Sequence, residues 1–248
     1  FPEPLSPTIE MVSFFLVVKL ISSKTLILSL PVWYLRLTLF NLRRTFMNKS
    51  FIIKIIVFCL VTIKASAIEK VILFGDSLMA GYGLPNEQHL SVVLQNSLET
   101  EGYNIEIVNG SVSGSTSSGG LNIAEWTLSE SNIDLMILCL GANDMLRGIN
   151  PKETKNNLEE IIKIAKNKNI KVIIAGMIAP TSYGSNYKKS FDKIFYDLSK
   201  KYKLQLIPFL LEGVAQKPEF NLSDGMHPND QGTIIIGNTL KIAILENL

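Results

Sequence analysis

The sequence predicts one doubly wound α/β domain built on a five-stranded parallel sheet. Three observations predict it. From Glu69 onward, strand-like apolar runs alternate with segments of helical spacing. The central runs are apolar throughout, as parallel strands covered on both faces must be. The first three strands each end in a polar loop that carries glycine.

Lys70 to Phe74 reads as the first strand, and a loop, Gly81-Tyr82-Gly83-Leu84-Pro85-Asn86, follows it. Leu90 to Leu98 has helical spacing, and Ile105 to Val108 is the second strand. Ser111 to Gly120 reads as a Gly/Ser-rich loop, with a short helix near Leu121 to Leu128. Leu135 to Leu140 is the third strand. Pro151 suits the first turn of a helix whose Leu158, Ile161, Ile162 and Ala165 share one face. Lys171 to Ala175 is the fourth strand, and Leu204 to Ile207 is the fifth. Between them Tyr187 to Tyr202 is helical, with Phe191, Ile194, Phe195 and Leu198 on one side. Pro208 to Pro228 is irregular and leads into a last helix, Asp230 to Leu245.

The first quarter of the chain is a different object. Met47-Asn48-Lys49, the apolar run Phe51 to Thr62 and Ala65-Ser66-Ala67 follow the basic, apolar, small order of a secretory signal peptide over residues 47–67. Its apolar run is shorter than the ~20 residues a spanning helix needs. Residues 1–46 hold two interrupted apolar runs and are expected to be translated upstream sequence outside the working protein. Residues 68–248 then form the single domain.

Dividing the chain there changes its charge. Residues 1–67 hold eight Lys and Arg and two Asp and Glu, so the 24 basic and 22 acidic residues of the whole chain become 16 and 20 in residues 68–248. The net charge of −4 gives no basic surface for nucleic acid. Cys139 is the one cysteine of the domain, so no internal disulfide forms there, and its apolar strand marks it as a buried thiol. Two histidines and one cysteine do not make a dedicated metal site.

The chemistry concentrates at strand ends. The run Val71 to Phe74 stops at Gly75-Asp76-Ser77, which puts a serine at the carboxyl edge of the sheet, where open α/β folds place their sites. Ser113-Gly114-Ser115 and Gly141-Ala142-Asn143-Asp144 follow the second and third strands. Far along the chain, Asp224-Gly225-Met226-His227-Pro228 offers an imidazole with an acid three residues before it. Together these read as nucleophilic acyl transfer, with Ser77 the nucleophile, His227 the base and Asp224 the group that fixes its tautomer. The main-chain N–H groups of Ser77 and Gly114 and the Asn143 amide are the candidate oxyanion donors. Asp76 and Asp144 are expected to be structural acceptors of loop N–H bonds, and His89 a loop residue. Met145, Leu146, Ile149, Ile178, Ala179 and Tyr183 are expected beside Ser77 as an apolar rim.

These four blocks resemble the signature blocks of the GDSL or SGNH hydrolases, and most closely their bacterial periplasmic thioesterase, lysophospholipase and arylesterase branch. Gly81-Tyr82-Gly83-Leu84-Pro85, Leu146-Arg147-Gly148, Ala175-Gly176-Met177, Ala179-Pro180 and Phe209 to Val214 resemble it too, so the likeness spans the domain. It implies a flavodoxin-like three-layer sandwich and ester or thioester hydrolysis without cofactor or metal. It also implies Ser77, Asp224 and His227 as catalytic residues, and Ser77, Gly114 and Asn143 as the oxyanion hole. Two departures stand out: Ser115 occupies a position that is often acidic, and Gln88-His89-Leu90 replaces an aromatic-proline pair. The expected partner is a small acyl ester or thioester, met by an exported monomer in transient contact with membrane lipids. A polysaccharide deacetylase of the same fold and a non-catalytic binding protein are the competing readings.

Overall fold

The computed structural model describes residues 68–130 and 132–248. The proposed extension 1–46 and signal peptide 47–67 lie outside the described residues.

Five strands form one parallel sheet: β1 (Lys70–Gly75), β2 (Glu106–Asn109), β3 (Leu135–Cys139), β4 (Lys171–Ala175) and β5 (Gln205–Ile207). Their order is β2-β1-β3-β4-β5, the flavodoxin-like order that the family resemblance implies. The sequence reverses its direction of travel between β1 and β3, and the register there runs from Val71 opposite Leu135 to Gly75 opposite Cys139. Every residue of β3 is buried, and β1 is buried from Val71 onward. The edge strands β2 and β5 are short and partly exposed, which limits the unpaired backbone they offer.

The helices are α1 (Ser77–Ala80), α2 (Leu90–Thr100), α3 (Ser117–Thr127), α4 (Ala142–Leu146), α5 (Pro151–Asn167), α6 (Ser185–Tyr202) and α7 (Asp230–Leu245). Helices α2 and α7 pack on each other over one face of the sheet, while α3, α5 and α6 cover the other. The predicted apolar faces are the buried ones: Leu158, Ile161, Ile162 and Ala165 of α5, and Phe191, Ile194, Phe195 and Leu198 of α6. Each fully buried Leu, Ile or Phe side chain contributes about 1.5–3 kcal/mol relative to exposure. Asn150 caps α5 by accepting from the Lys152 N–H, with Pro151 in the first turn as expected.

Three local expectations are corrected. Helix α3 starts at Ser117, inside the stretch read as a Gly/Ser loop, because Thr116 accepts from the Gly119 N–H and caps it. Gly120 is there for packing: a Cβ on it would stand 2.3 Å from Leu140 Cδ1. The short helices α1 and α4 have too few residues to show periodicity, yet each begins beside a candidate site residue. A 3₁₀ turn, Pro218–Phe220, and a bridge between Asn221 and Pro228 organise the stretch read as irregular.

Candidate active site

Ser77 owes its place to the two residues before it. A Cβ on Gly75 would lie 2.7 Å from the Cys139 carbonyl oxygen, so glycine lets β1 stay against β3 to its last residue. Asp76 is extended and caps α1, its Oδ1 accepting from the Leu78 N–H at 3.1 Å. The chain therefore turns sharply out of a buried strand, and half-buried Ser77 opens the helix at the strand's carboxyl end.

His227 and Asp224 sit on a loop that is tied to itself. Leu222 N–H donates to the His227 carbonyl at 2.8 Å, and Gly225 takes a left-handed φ of 68° to complete the turn. Asp224 Oδ1 accepts from the main-chain N–H groups of Met226 (2.8 Å) and His227 (3.0 Å). Those donors, more than the imidazole, pull the Asp224 carboxyl down to about 2. Its other oxygen lies 2.7 Å from His227 Nδ1, and His227 Nε2 lies 2.9 Å from Ser77 Oγ. With Nδ1–H donating to Asp224, Nε2 is left to accept the serine hydroxyl proton. The Tyr82 ring lies against the imidazole, with centroids 4.4 Å apart.

The candidate donors converge on the same side. Gly114 takes a φ of 77° at the tip of an exposed loop, with nothing within 4 Å of where a Cβ would stand. Among the described residues, neither the Ser77 nor the Gly114 main-chain N–H donates to a protein acceptor. Asn143, at the start of α4, donates one amide hydrogen to Asp76 Oδ2 at 3.2 Å, which leaves the other for a ligand. Asp76 is almost wholly buried, and desolvation lifts its carboxyl to about 6 despite the hydrogen bonds from Leu78 and Asn143.

Ser77, Gly114, Asn143 and His227 line one cavity of about 1110 Å³. Met145, Leu146, Ile178 and Ala179 line it as expected. Ile149 and Tyr183 do not. The Ile149 carbonyl instead accepts the Tyr187 hydroxyl, and the Tyr183 ring stacks on Tyr187. Sequence reasoning assigned no role to Tyr82, Met177, Phe209 or Met226, which complete the apolar lining. Their signal was membership of the stretches that carry the family resemblance, Met226 within the block between Asp224 and His227.

Asp144 and His89 are held in hydrogen bonds within the fold. Asp144 is fully buried and accepts from Ser117 N–H (2.7 Å), the Ser117 hydroxyl and the Thr154 hydroxyl (3.0 Å). His89 donates through Nε2 to the Leu84 carbonyl at 3.0 Å, inside its own loop. Cys139 is buried and free, with its thiol pushed up by desolvation. Among the described residues, no group of three or more His, Cys, Asp or Glu could hold a metal ion.

The family model described as "GDSL-like Lipase/Acylhydrolase family" matches residues 73–233. The chain is similar to an arylesterase of Vibrio mimicus, 37% identical over 177 residues that cover 71% of this chain and 88% of that protein. It is 32% identical to a thioesterase 1/protease 1/lysophospholipase L1 of Escherichia coli over 170 residues, 68% of this chain and 80% of that one. Among solved structures, TesA superimposes with a TM-score of 0.69 at 32% identity, covering 73% of this chain and all of the other.

Proposed function

Because this chain belongs to the GDSL-like lipase/acylhydrolase family, we propose that it is a serine hydrolase of carboxylic esters and thioesters. One observation carries the reading above all: His227 Nε2 lies 2.9 Å from Ser77 Oγ, while Asp224 holds the far side of the same ring at 2.7 Å.

Ser77 Oγ attacks the acyl carbonyl as His227 takes its proton, and Asp224 stabilises the imidazolium that forms. The N–H groups of Ser77 and Gly114 and the second amide hydrogen of Asn143 receive the oxyanion. His227 then returns the proton to the leaving alcohol or thiol, and the tetrahedral adduct collapses to an acyl-Ser77 ester. Water, deprotonated by His227, hydrolyses that ester and restores the serine.

The cavity supports fatty or aromatic acyl groups. Its wall brings Met145, Met177, Ile178 and Phe209 alongside the serine, and burying their apolar surface against an acyl chain favours binding. Tyr82, Leu146, Ile178 and Met226 are exposed around the same cavity and support transient contact with lipid. The basic, apolar, small order of residues 47–67 supports export.

An organophosphonate probe tests the chemistry, and nitrophenyl esters of graded length set against acetylated sugars test the substrate. Labelling at Ser77 with preference for longer acyl chains is expected. A folded sample that resists the probe would sink the catalytic reading, and preference for acetylated sugar would replace the acyl-ester reading with deacetylation.

A further inference from the structure

The loop that carries Gly114 is anchored at both ends but unsupported at its tip. Val112 N–H donates to the Gly75 carbonyl at 3.1 Å, and Thr116 begins the cap of α3. Between them the chain makes a tight turn closed by Ser115 N–H to the Val112 carbonyl, 3.0 Å. Val112, Ser113 and Gly114 are exposed. Ser113 and Gly114 line both the cavity at Ser77 and a second cleft of about 350 Å³. Side-chain packing therefore does not hold Gly114 in place.

One side chain reaches it. Arg147 Nη2 donates to the Gly114 carbonyl at 3.0 Å, and Arg147 lines the second cleft behind the turn. Arg147 also belongs to the unit that carries Asn143, since it follows α4 directly and its N–H donates to the Asn143 carbonyl at 3.1 Å. The Gly114–Ser115 peptide is thus gripped at its N–H by Val112 and at its oxygen by the guanidinium. Rotation about Gly114, which a glycine otherwise permits freely, is restrained.

We propose that Arg147 is a positioning residue: it spans from the Asn143 helix to the Gly114 carbonyl and sets the distance between the two oxyanion donors. This rests on the reading of Gly114 and Asn143 as donors to the oxyanion. A displaced donor loses part of its value, since such stabilisation depends on donors already aimed at the developing charge. The bond is exposed to water and single, so the loss is smaller than the ~10²- to 10³-fold that follows deletion of a donor.

The test is Arg147→Ala and Arg147→Lys, each alone and with Gly114→Ala, assayed for kcat and KM on a short and a long nitrophenyl ester. Arg147→Ala should lower kcat by about 5- to 20-fold on both esters with KM within about twofold, because the defect lies at the carbonyl and not along the acyl chain. Arg147→Lys, which can still offer one N–H to the Gly114 oxygen, should recover part of that loss. In the Gly114→Ala background, removing Arg147 should cost little more, because both changes act through one turn. An unchanged kcat would overturn the proposal, as would a loss confined to KM or one fully additive with Gly114→Ala. Wild-type protein that resists a phosphonate probe would overturn the catalytic reading itself, whereas an active, labelled wild type with indifferent Arg147 variants would overturn this inference alone.

Discussion

The amide of Asn143 donates to Asp76 Oδ2 at 3.2 Å, joining the loop after β3 to the residue that immediately precedes Ser77. The contact fixes which end of the amide faces the cavity, because the nitrogen must point toward the carboxylate. Asp76→Asn should disturb this arrangement. An asparagine can still accept from Leu78 through its oxygen, but it turns its own NH₂ toward that of Asn143, and Asn143 must rotate. A fall in kcat of about 10- to 10²-fold is expected, since the donor is misdirected but not deleted.

The same substitution reads out a pH dependence. The Asp76 carboxyl stands at about 6 in the fold against an ordinary 3.8. A carboxyl raised in this way binds its proton more tightly in the native state. Its contribution to stability is therefore greatest at low pH and declines as pH climbs from about 4 through 6. The cost at neutral pH is ~3 kcal/mol at most. Asp76→Asn should be the more stable protein at pH 7, by about 1–3 kcal/mol in urea unfolding, with the gap closing below pH 4. An identical pH slope in both proteins would refute this account of Asp76.

Asp224 shows the opposite sign. Its carboxyl is held near 2, so it supports the fold fully above its ordinary 3.8 and loses that contribution as pH falls from there through 2. No activity loss between pH 4 and 7 should trace to its protonation. Asp224→Asn should lower kcat by about 10²- to 10⁴-fold at pH 7, because an amide nitrogen facing Nδ1 favours the tautomer whose Nε2 already carries a proton. Steady-state kinetics on a nitrophenyl ester would check it, and a loss under tenfold would count against the role of Asp224.

Ser77→Ala should remove about 10³-fold or more of the turnover and leave the circular dichroism spectrum unchanged. Asn143→Ala should lower kcat by about 10²- to 10³-fold with less effect on KM. Near-normal turnover in either variant would remove that residue from the mechanism.

Asp144 should matter to stability before catalysis. Its carboxylate is the common acceptor for the first turn of α3 and for Thr154 of α5, in a site without solvent. Asp144→Ala strands these donors and should cost about 3–5 kcal/mol in urea unfolding, whereas Thr154→Val, which removes one donor and keeps its shape, should cost about 1–2 kcal/mol.

The sheet was legible because burial on both faces leaves continuous apolar runs such as Val71 to Phe74 and Leu135 to Leu140. The candidate residues Ser77 and Asn143 stood out because each closely follows a buried strand, where polar residues and glycine contrast with apolar runs. What escaped was local or three-dimensional. Helix α3 hides its start behind Gly119 and Gly120, which sit close against the Ser115 side chain and against Leu140 respectively. Helices α1 and α4 are shorter than any periodic signal. The cavity wall could not be told from ordinary loop packing, so Ile149 and Tyr183 were placed in it while Phe209 received no role. Arg147 showed only as part of the Leu146-Arg147-Gly148 stretch, and its contact could not be read there, because its partner is a backbone oxygen 33 positions away.

Ser77 and His227 are 150 positions apart, and the acid and base share one short turn near the far end of the domain. All five strands leave the ribosome before that turn does. On the proposed reading, a nascent chain thus carries its serine and all five strands before it has the group that deprotonates the hydroxyl, and residues 225–227 of that same turn complete the cavity wall. A premature stop before residue 224 would remove α7 as well, so one face of the sheet would lose its cover together with the proposed acid and base.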